Sequence, residues 1–306
     1  MNEADNKLRA RAAHPEPQDI LRQGALKNRR NAAAASTVSF ILSLFFCIFA
    51  LAPFLFMLMA SLKPGADMFR NGINVHIDPQ IMSLKNYSEL FTGKEGIYLQ
   101  WYKNSLLITF LQTAVAIFLS AMVGYGLAMY RFKGRNVIFV AVLVVMMVPV
   151  EILILPLYQL TTTLRIIDTF AGVILPFAVP PVAVFFFRQY AVGLPKDLLD
   201  SGRIDGCSEY GIYFRLMMPL MKPAFGAMII LQAMFSWNNV VWPLIALRTN
   251  EMLTLPIGLA SLMTPYGNNY DMLMSGAVLS VIPIVIVFLF NQKAFISGLT
   301  VGAIKE

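Results

Sequence analysis

Six runs of about twenty apolar residues constrain this 306-residue chain more than any other feature. A helix rises 1.5 Å per residue, so about 20 residues cross a hydrocarbon core about 30 Å thick. The runs are 37–60, 104–130, 137–160, 170–190, 224–247 and 272–290. No Lys or Arg falls in the middle of any run, and Glu151 is the one acid inside them. Charged residues make up 13% of the chain, about half the usage of an average soluble domain. That excludes an ordinary soluble fold, a disordered chain and a coiled coil. The runs are continuous and do not alternate, which excludes a β-barrel. The expected fold class is all-α, a polytopic membrane protein with six transmembrane helices. Pro149, Pro156, Pro176, Pro180 and Pro181 interrupt the third and fourth runs, which membrane helices tolerate when neighbours satisfy the freed carbonyls. The first run starts too late and runs too long for a cleaved signal peptide.

Charge sets the orientation. The chain divides into a polar tail (1–36), a six-helix domain (37–292) and a short tail (293–306). The tails, the 131–135 loop and the region from Arg188 to Lys222 together hold seventeen of the 24 Lys and Arg. The opposite loops, 61–103 and 248–271 among them, hold the other seven. Basic loops stay inside, so both termini are expected in the cytoplasm, with the protein multi-pass in the cell membrane. The net charge of +7 then reads as a lipid-surface and topology signal, and nucleic acid is not an expected partner.

Catalytic constellations are missing. No G-x-x-x-x-G-K-[ST] occurs, so ATP phosphates have no cradle of that kind. H-E-x-x-H, C-x-x-C and a nucleophile-elbow Ser are also absent. His14 and His76 fall in different topological regions, and Cys47 and Cys207 read as an apolar filler and a reduced loop thiol. No metal, no cofactor and no enzymatic activity are expected. An ion-coupled carrier places several ionisable groups in the membrane, and Glu151 stands alone. Glu151 is a candidate for the translocation path, with an interfacial carboxylate at a Pro-bent helix end as the other reading. A stand-alone secondary transporter remains the alternative function.

The 191–222 loop carries the strongest pattern. Pro195 suits a first helical turn. Leu198 and Leu199 form an apolar patch, and Asp200 and Arg203 are spaced to pair. Gly206 suits a left-handed exit, Ser208 a cap, and Glu209 a positive first turn. Tyr210, Tyr213, Phe214, Met217 and Met218 recur at helical spacing and predict one apolar face, which Pro219 and Pro223 are expected to stop. Two short helices about a glycine, held between two spans, read either as a hairpin lying on the lipid headgroups or as a docking knob for a soluble partner.

That loop resembles the EAA motif of permease subunits in binding-protein-dependent ABC importers. The motif is Glu-Ala-Ala, three residues, Gly, nine residues, then Ile-x-Leu-Pro. Here the register is Asp200-Ser201-Gly202, Arg203-Ile204-Asp205, Gly206, nine residues, and Leu216-Met217-Met218-Pro219. The departures are Asp for Glu, Ser-Gly for Ala-Ala, and Leu-x-Met for Ile-x-Leu. The C-terminal Phe295 to Lys305 segment and the Phe186 to Tyr190 segment resemble carbohydrate permeases of the maltose system's smaller-subunit type. Ser236-Trp237-Asn238-Asn239, Trp242-Pro243-Leu244 and the stretch from Thr264 to Asp271 resemble more narrowly the arabinose and arabino-oligosaccharide permeases of Gram-positive bacteria.

The resemblance implies a type I importer: two permeases, two ATPases and an extracellular sugar-binding protein, with ATP hydrolysed by the partner chains. It implies ATPase-coupling roles for Asp200, Ser201, Gly202, Arg203, Asp205, Gly206, Tyr210, Tyr213, Phe214 and Pro219. On the outside, Tyr266, Asn268, Asn269 and Tyr270 offer ring faces and amides, and are candidates for contact with the binding protein. Trp237, Asn238, Asn239 and Trp242 put polar groups at membrane depth. They are expected either to line the path or to hydrogen-bond helix to helix. The 61–103 loop is expected to be lid-like.

Overall fold

A computed structural model describes residues 17–67, 77–264 and 267–300. Residues 1–16 and 301–306 of the two tails, His14, His76 and Tyr266 lie outside the described residues. Two compact units are present, Met1–Phe56 and Met57–Glu306. The first is helical throughout its described part, within α1 (Pro17–Ser61). Its apolar side chains are exposed, Phe40 at 69% and Phe49 at 71%. An all-round apolar helix of that kind requires lipid or protein around it.

The second unit contains α2 (Lys85–Thr92), α3 (Ile97–Met129), α4 (Arg135–Met146), α5 (Val150–Thr163), α6 (Phe170–Ile174) and α7 (Pro181–Val192). Next come α8 (Asp197–Ile204), α9 (Glu209–Leu220), α10 (Lys222–Trp237), α11 (Val241–Ala246), α12 (Leu255–Ala260) and α13 (Tyr270–Thr300). A two-residue antiparallel pair, β1 (Met263–Thr264) and β2 (Gly267–Asn268), precedes α13.

Three segments are single helices long and apolar enough to cross a membrane: Ala35–Ser61, Ile97–Met129 and Tyr270–Phe295. Three more pass as bent pairs, which gives up to six spans, in line with the six apolar runs. The third run turns by 105° between α4 and α5. Pro149 cannot donate to the helix and is itself extended, φ −60° and ψ 132°, so α4 ends just before it and α5 begins just after. The fourth run bends by 44° ahead of α7, where Pro180 is extended and Pro181 starts the new helix. The fifth run stops at Trp237. Asn238 caps α10, its Nδ2 donating to the Met234 carbonyl at 2.9 Å, and α11 is a separate turn of helix.

The core is built around α3, which packs against α7 and α10, while α10 packs against α13. Small residues permit the closest approach. A Cβ on Gly124 would sit 2.8 Å from both Phe187 Cβ and the Arg188 nitrogen, so only glycine lets α3 and α7 touch here. One apolar cluster joins Ile117, Tyr125, Phe187, Leu199, Ile212 and Met217. A second joins Leu90, Tyr98, Trp101, Trp237, Leu255 and Met272.

The described part of the 61–103 loop is anchored and not lid-like. Leu90 is fully buried, and Asn86 donates to the carbonyls of Ser61 and Lys63 at 2.9 and 2.8 Å. Helix α3 begins seven residues before the expected 104, which places Trp101 inside it and buried.

Candidate functional site: a hairpin and a buried polar seam

The 197–220 segment folds as two helices about Gly206, as its capping residues predict. Gly206 has φ +76°, a left-handed position that glycine enters without steric cost. The Ser208 hydroxyl accepts from the Gly211 amide at 3.1 Å and caps α9. Arg203 pairs with Asp200 at 3.3 Å and reaches across the turn to Glu209 at 2.7 Å. Glu209 also accepts from the Tyr130 hydroxyl at 2.7 Å, which ties the hairpin to the end of α3. The Arg203 guanidinium, then the Tyr130 hydroxyl, hold the Glu209 carboxyl below the usual glutamate range. Burial, then the hydrogen bond to Glu209, pushes the Tyr130 phenol well above its ordinary value.

Gly202 stands where the motif has its second alanine. A Cβ there would lie 2.9 Å from Ile212 Cγ1 and 3.0 Å from Leu216 Cδ1, so a small residue is needed for α8 to lie on α9. Helix α9 contains a π stretch, Ile212–Met217, that ends two residues before Pro219. Proline lacks an amide hydrogen, and the widened turn absorbs the missing bond. The helix therefore runs through Pro219 to Leu220, correcting the expectation that Pro219 ends it. The chain then bends by 77° into α10.

The predicted single apolar face of α9 is also corrected. The π stretch turns the residues before it, and two faces result. Ile212, Tyr213 and Met217 are buried against α3, α7 and α10. Tyr210 and Phe214 are 72% and 41% exposed. Tyr213 packs on Tyr125 with centroids 4.8 Å apart and the rings tilted by 47°, so it anchors the hairpin and does not face outward. Ile204, at 87% exposure, is the most prominent apolar side chain of the hairpin, and sequence reasoning passed over it. On an amphipathic eight-residue helix a lone isoleucine reads as core. With Asp200, Ser201, Arg203, Asp205 and Gly206 also exposed, the front is a mixed apolar and charged knob.

Deeper in the domain, α3 and α10 share a polar seam that sequence reasoning missed. Ser236 donates to Gln112 Oε1 at 2.7 Å. Thr109, Gln112, Thr113 and Gln232 are all at most 8% exposed. Thr109 Oγ1, Gln112 Nε2, Thr113 Oγ1 and Gln232 Nε2 find no partner among the described residues. Each such group costs about 1–3 kcal/mol unless water or a ligand reaches it. Beside the seam lies a cavity of about 490 Å³, bordered by Thr109, Thr113, Phe118, Phe225, Trp237 and Ile284. The spacing of Gln232 and Ser236, four apart, puts them on one face of α10, but nothing in the sequence pairs that face with Gln112.

The remaining expected residues do not gather in one place. Trp237 and Trp242 are buried, and their indoles donate to the carbonyls of Ser280 and Gly172 at 3.1 and 3.0 Å, helix to helix. Asn238 is exposed at the α10 cap and Asn239 half-buried in the break. Glu151 is exposed in the first turn of α5, where the helix end favours a carboxylate. Asn269 Oδ1 accepts from the Met272 amide at 3.0 Å and so caps α13, with Tyr270 in its first turn. The Asn268 side chain lies outside the described residues, like Tyr266. Among the described residues no cluster of His, Cys, Asp and Glu is placed to hold a metal.

Residues 116–301 match the family described as binding-protein-dependent transport system inner membrane component. The chain is similar to the arabinooligosaccharides transport system permease protein AraQ of Bacillus subtilis (strain 168), 58% identical over 90% of this chain and 99% of that one. The protein of the same description from Halalkalibacterium halodurans is 52% identical over 88% of this chain and 95% of that one. The galactooligosaccharides transport system permease protein GanQ of Bacillus subtilis (strain 168) is 32% identical, covering 87% of this chain and 94% of its own length. The fold is shared with a chain of a bacterial ABC transporter involved in the import of the acidic polysaccharide alginate, TM-score 0.74, over 86% of this chain and 97% of that one at 21% identity.

Proposed function

This chain belongs to the family of binding-protein-dependent transport system inner membrane components, and we propose that it forms half of the translocation pathway of an ATP-driven importer of arabino-oligosaccharides. The 58% identity to an arabinooligosaccharide permease supports the substrate class. Its partners in this reading are a second permease, two ATPases and an extracellular sugar-binding protein. ATP is hydrolysed by the ATPases, and this chain is non-catalytic. Both tails face the cytoplasm.

One observation carries the mechanism: the hairpin has a buried back and an exposed, partly apolar front. Ile204, Tyr210 and Phe214 offer the front to an ATPase groove. Leu199, Ile212, Tyr213 and Met217 weld the back to α3, α7 and α10. A push on the front is therefore transmitted as a rigid-body tilt, because packed cores deform little. The 77° elbow at Met221 hands that tilt to α10, which carries Gln232 and Ser236 of the seam. Movement of α10 against α3 opens or closes the cavity beside the seam. Tyr266, Asn268, Asn269 and Tyr270 are placed in this reading at the outer face, toward the binding protein, and Glu151 at an outer rim of the path.

The test is binding-protein-stimulated ATP hydrolysis and sugar uptake in membranes holding the full complex. Ile204→Glu is expected to abolish both while the chain still folds and inserts. Full activity in that variant, or no association with an ATPase, would remove the coupling assignment.

A further inference from the structure

We propose that the basic turn between α3 and α4, at the hairpin end of the molecule, binds the phosphate of an anionic phospholipid. The turn holds Arg131 and Lys133, both exposed, and Arg135 opens α4. Arg188 comes from α7, its guanidinium 3.6 Å from the Phe139 ring centroid. Phe139 is four residues after Arg135, so the two lie on one face of α4 and bring both guanidinium groups to the same side. None of these four cations forms an ion pair among the described residues. Arg135 donates to the Tyr130 carbonyl at 3.2 Å, and Arg188 Nε is buried with no partner. The acid bonded to Tyr130 is Glu209, and Arg203 and the Tyr130 hydroxyl already engage its two oxygens. Four cations are thus left without a counter-charge.

The surroundings fit a lipid in preference to a free anion. A cavity of about 450 Å³ is bordered by Arg131, Phe132, Arg135, Asn136 and Val137. Gly134, at φ +87°, also borders this cavity and turns the chain into α4 just after it. Directly beyond, α4 exposes Val137 at 73%, Ile138 at 46% and Val140 at 55%. Charge at one end and bare apolar surface at the other match a headgroup with its acyl chains. Juxtamembrane cations add about 1 kcal/mol each toward an anionic leaflet. The Tyr130 carbonyl holds Arg135 while its hydroxyl holds Glu209, so the lipid site and the hairpin share one residue. The inference rests on the chain lying in a membrane and is independent of the sugar it serves.

The experiment is native mass spectrometry of the full chain with phosphatidylglycerol and phosphatidylcholine of equal chain length. Phosphatidylglycerol is expected to be retained preferentially. Arg131→Gln, Lys133→Gln and Arg135→Gln are expected to lower that preference by about fivefold per cation removed. Arg131 and Lys133 are exposed, so the double variant keeps the test valid even if Arg135→Gln disturbs folding. Lys85→Gln, in the 61–103 loop, is expected to change nothing. Equal retention of the two lipids would overturn the proposal, as would unchanged preference in a folded variant. Complete displacement by inorganic phosphate would assign the site to a free anion. Loss of the lipid when the ATPase assembles would assign it to an acidic protein surface.

Discussion

The 197–220 hairpin and the 248–262 cap both interrupt the spanning helices with short elements, yet they are held in opposite ways. The cap, 248–262, is held by hydrogen bonds from α3 to its backbone. Trp101 Nε1 donates to the Asn250 carbonyl at 2.9 Å, and Asn104 Nδ2 to those of Glu251 and Leu253 at 2.7 and 3.0 Å. Ser105 Oγ accepts from the Leu255 amide at 2.7 Å. Asp168 receives the amides of Arg248 and Thr249, and these bonds hold its carboxyl below the usual aspartate range. The hairpin is held by apolar burial on its back and a few exposed charges on its turn. A cap satisfied by its own scaffold travels with α3. The hairpin instead leaves Ile204 and Tyr210 exposed on its front.

Breaking the cap is expected to have the largest effect on stability. Trp101→Ala removes a 2%-exposed ring packed on Gly258 together with its bond to Asn250, and costs about 3–5 kcal/mol. Thermal melting of the purified chain measures it, and an unchanged midpoint would mean the cap is not held by α3. Gly202→Val ranks next. It forces a branched side chain against Ile212 and Leu216, costs about 1–3 kcal/mol, and loosens coupling along with stability.

A smaller effect follows from pH. The folded-state carboxyl of Glu209 titrates below its unfolded value, so its contribution is present above the ordinary glutamate range and is lost as pH falls through the folded value. Melting midpoints of wild type and Glu209→Gln are expected to differ at pH 7 and to converge as the pH falls through the folded-state value. A difference that persists in acid would show that the side chain acts by packing. Tyr210→Ala sharpens the contrast from the other end. It is expected to leave stability within about 0.5 kcal/mol while lowering coupled uptake on the order of tenfold or more. An equal loss of stability would turn the front of the hairpin into another piece of core.

Much of this was readable from residue order. The apolar runs name the spans, and Gly206, Ser208 and the Asp200–Arg203 spacing name the hairpin. Breaks inside runs were harder, because a three-residue interruption hardly alters a twenty-residue apolar average. Pro149 was visible, but the 105° turn it permits depends on what α5 packs against. The burial of Tyr213 goes with the π stretch, which leaves no periodic mark in the sequence, and the exposure of Ile204 comes at the last residue of α8. The seam at Gln112 was hidden for another reason: a single amide in a hydrophobic run says nothing about which helix it will face.

That π stretch also makes α9 a screw cut with one deliberate slip in its thread. An α-helix advances about 100° per residue, so one residue more or fewer between Ile212 and Met217 would swing everything before it by about a quarter turn relative to Met221. Glu209 would leave Tyr130, and Ile204 would point away from whatever it now meets. Length in this stretch is therefore as binding as residue identity. A substitution there costs a contact, whereas an indel changes the direction in which the whole hairpin faces.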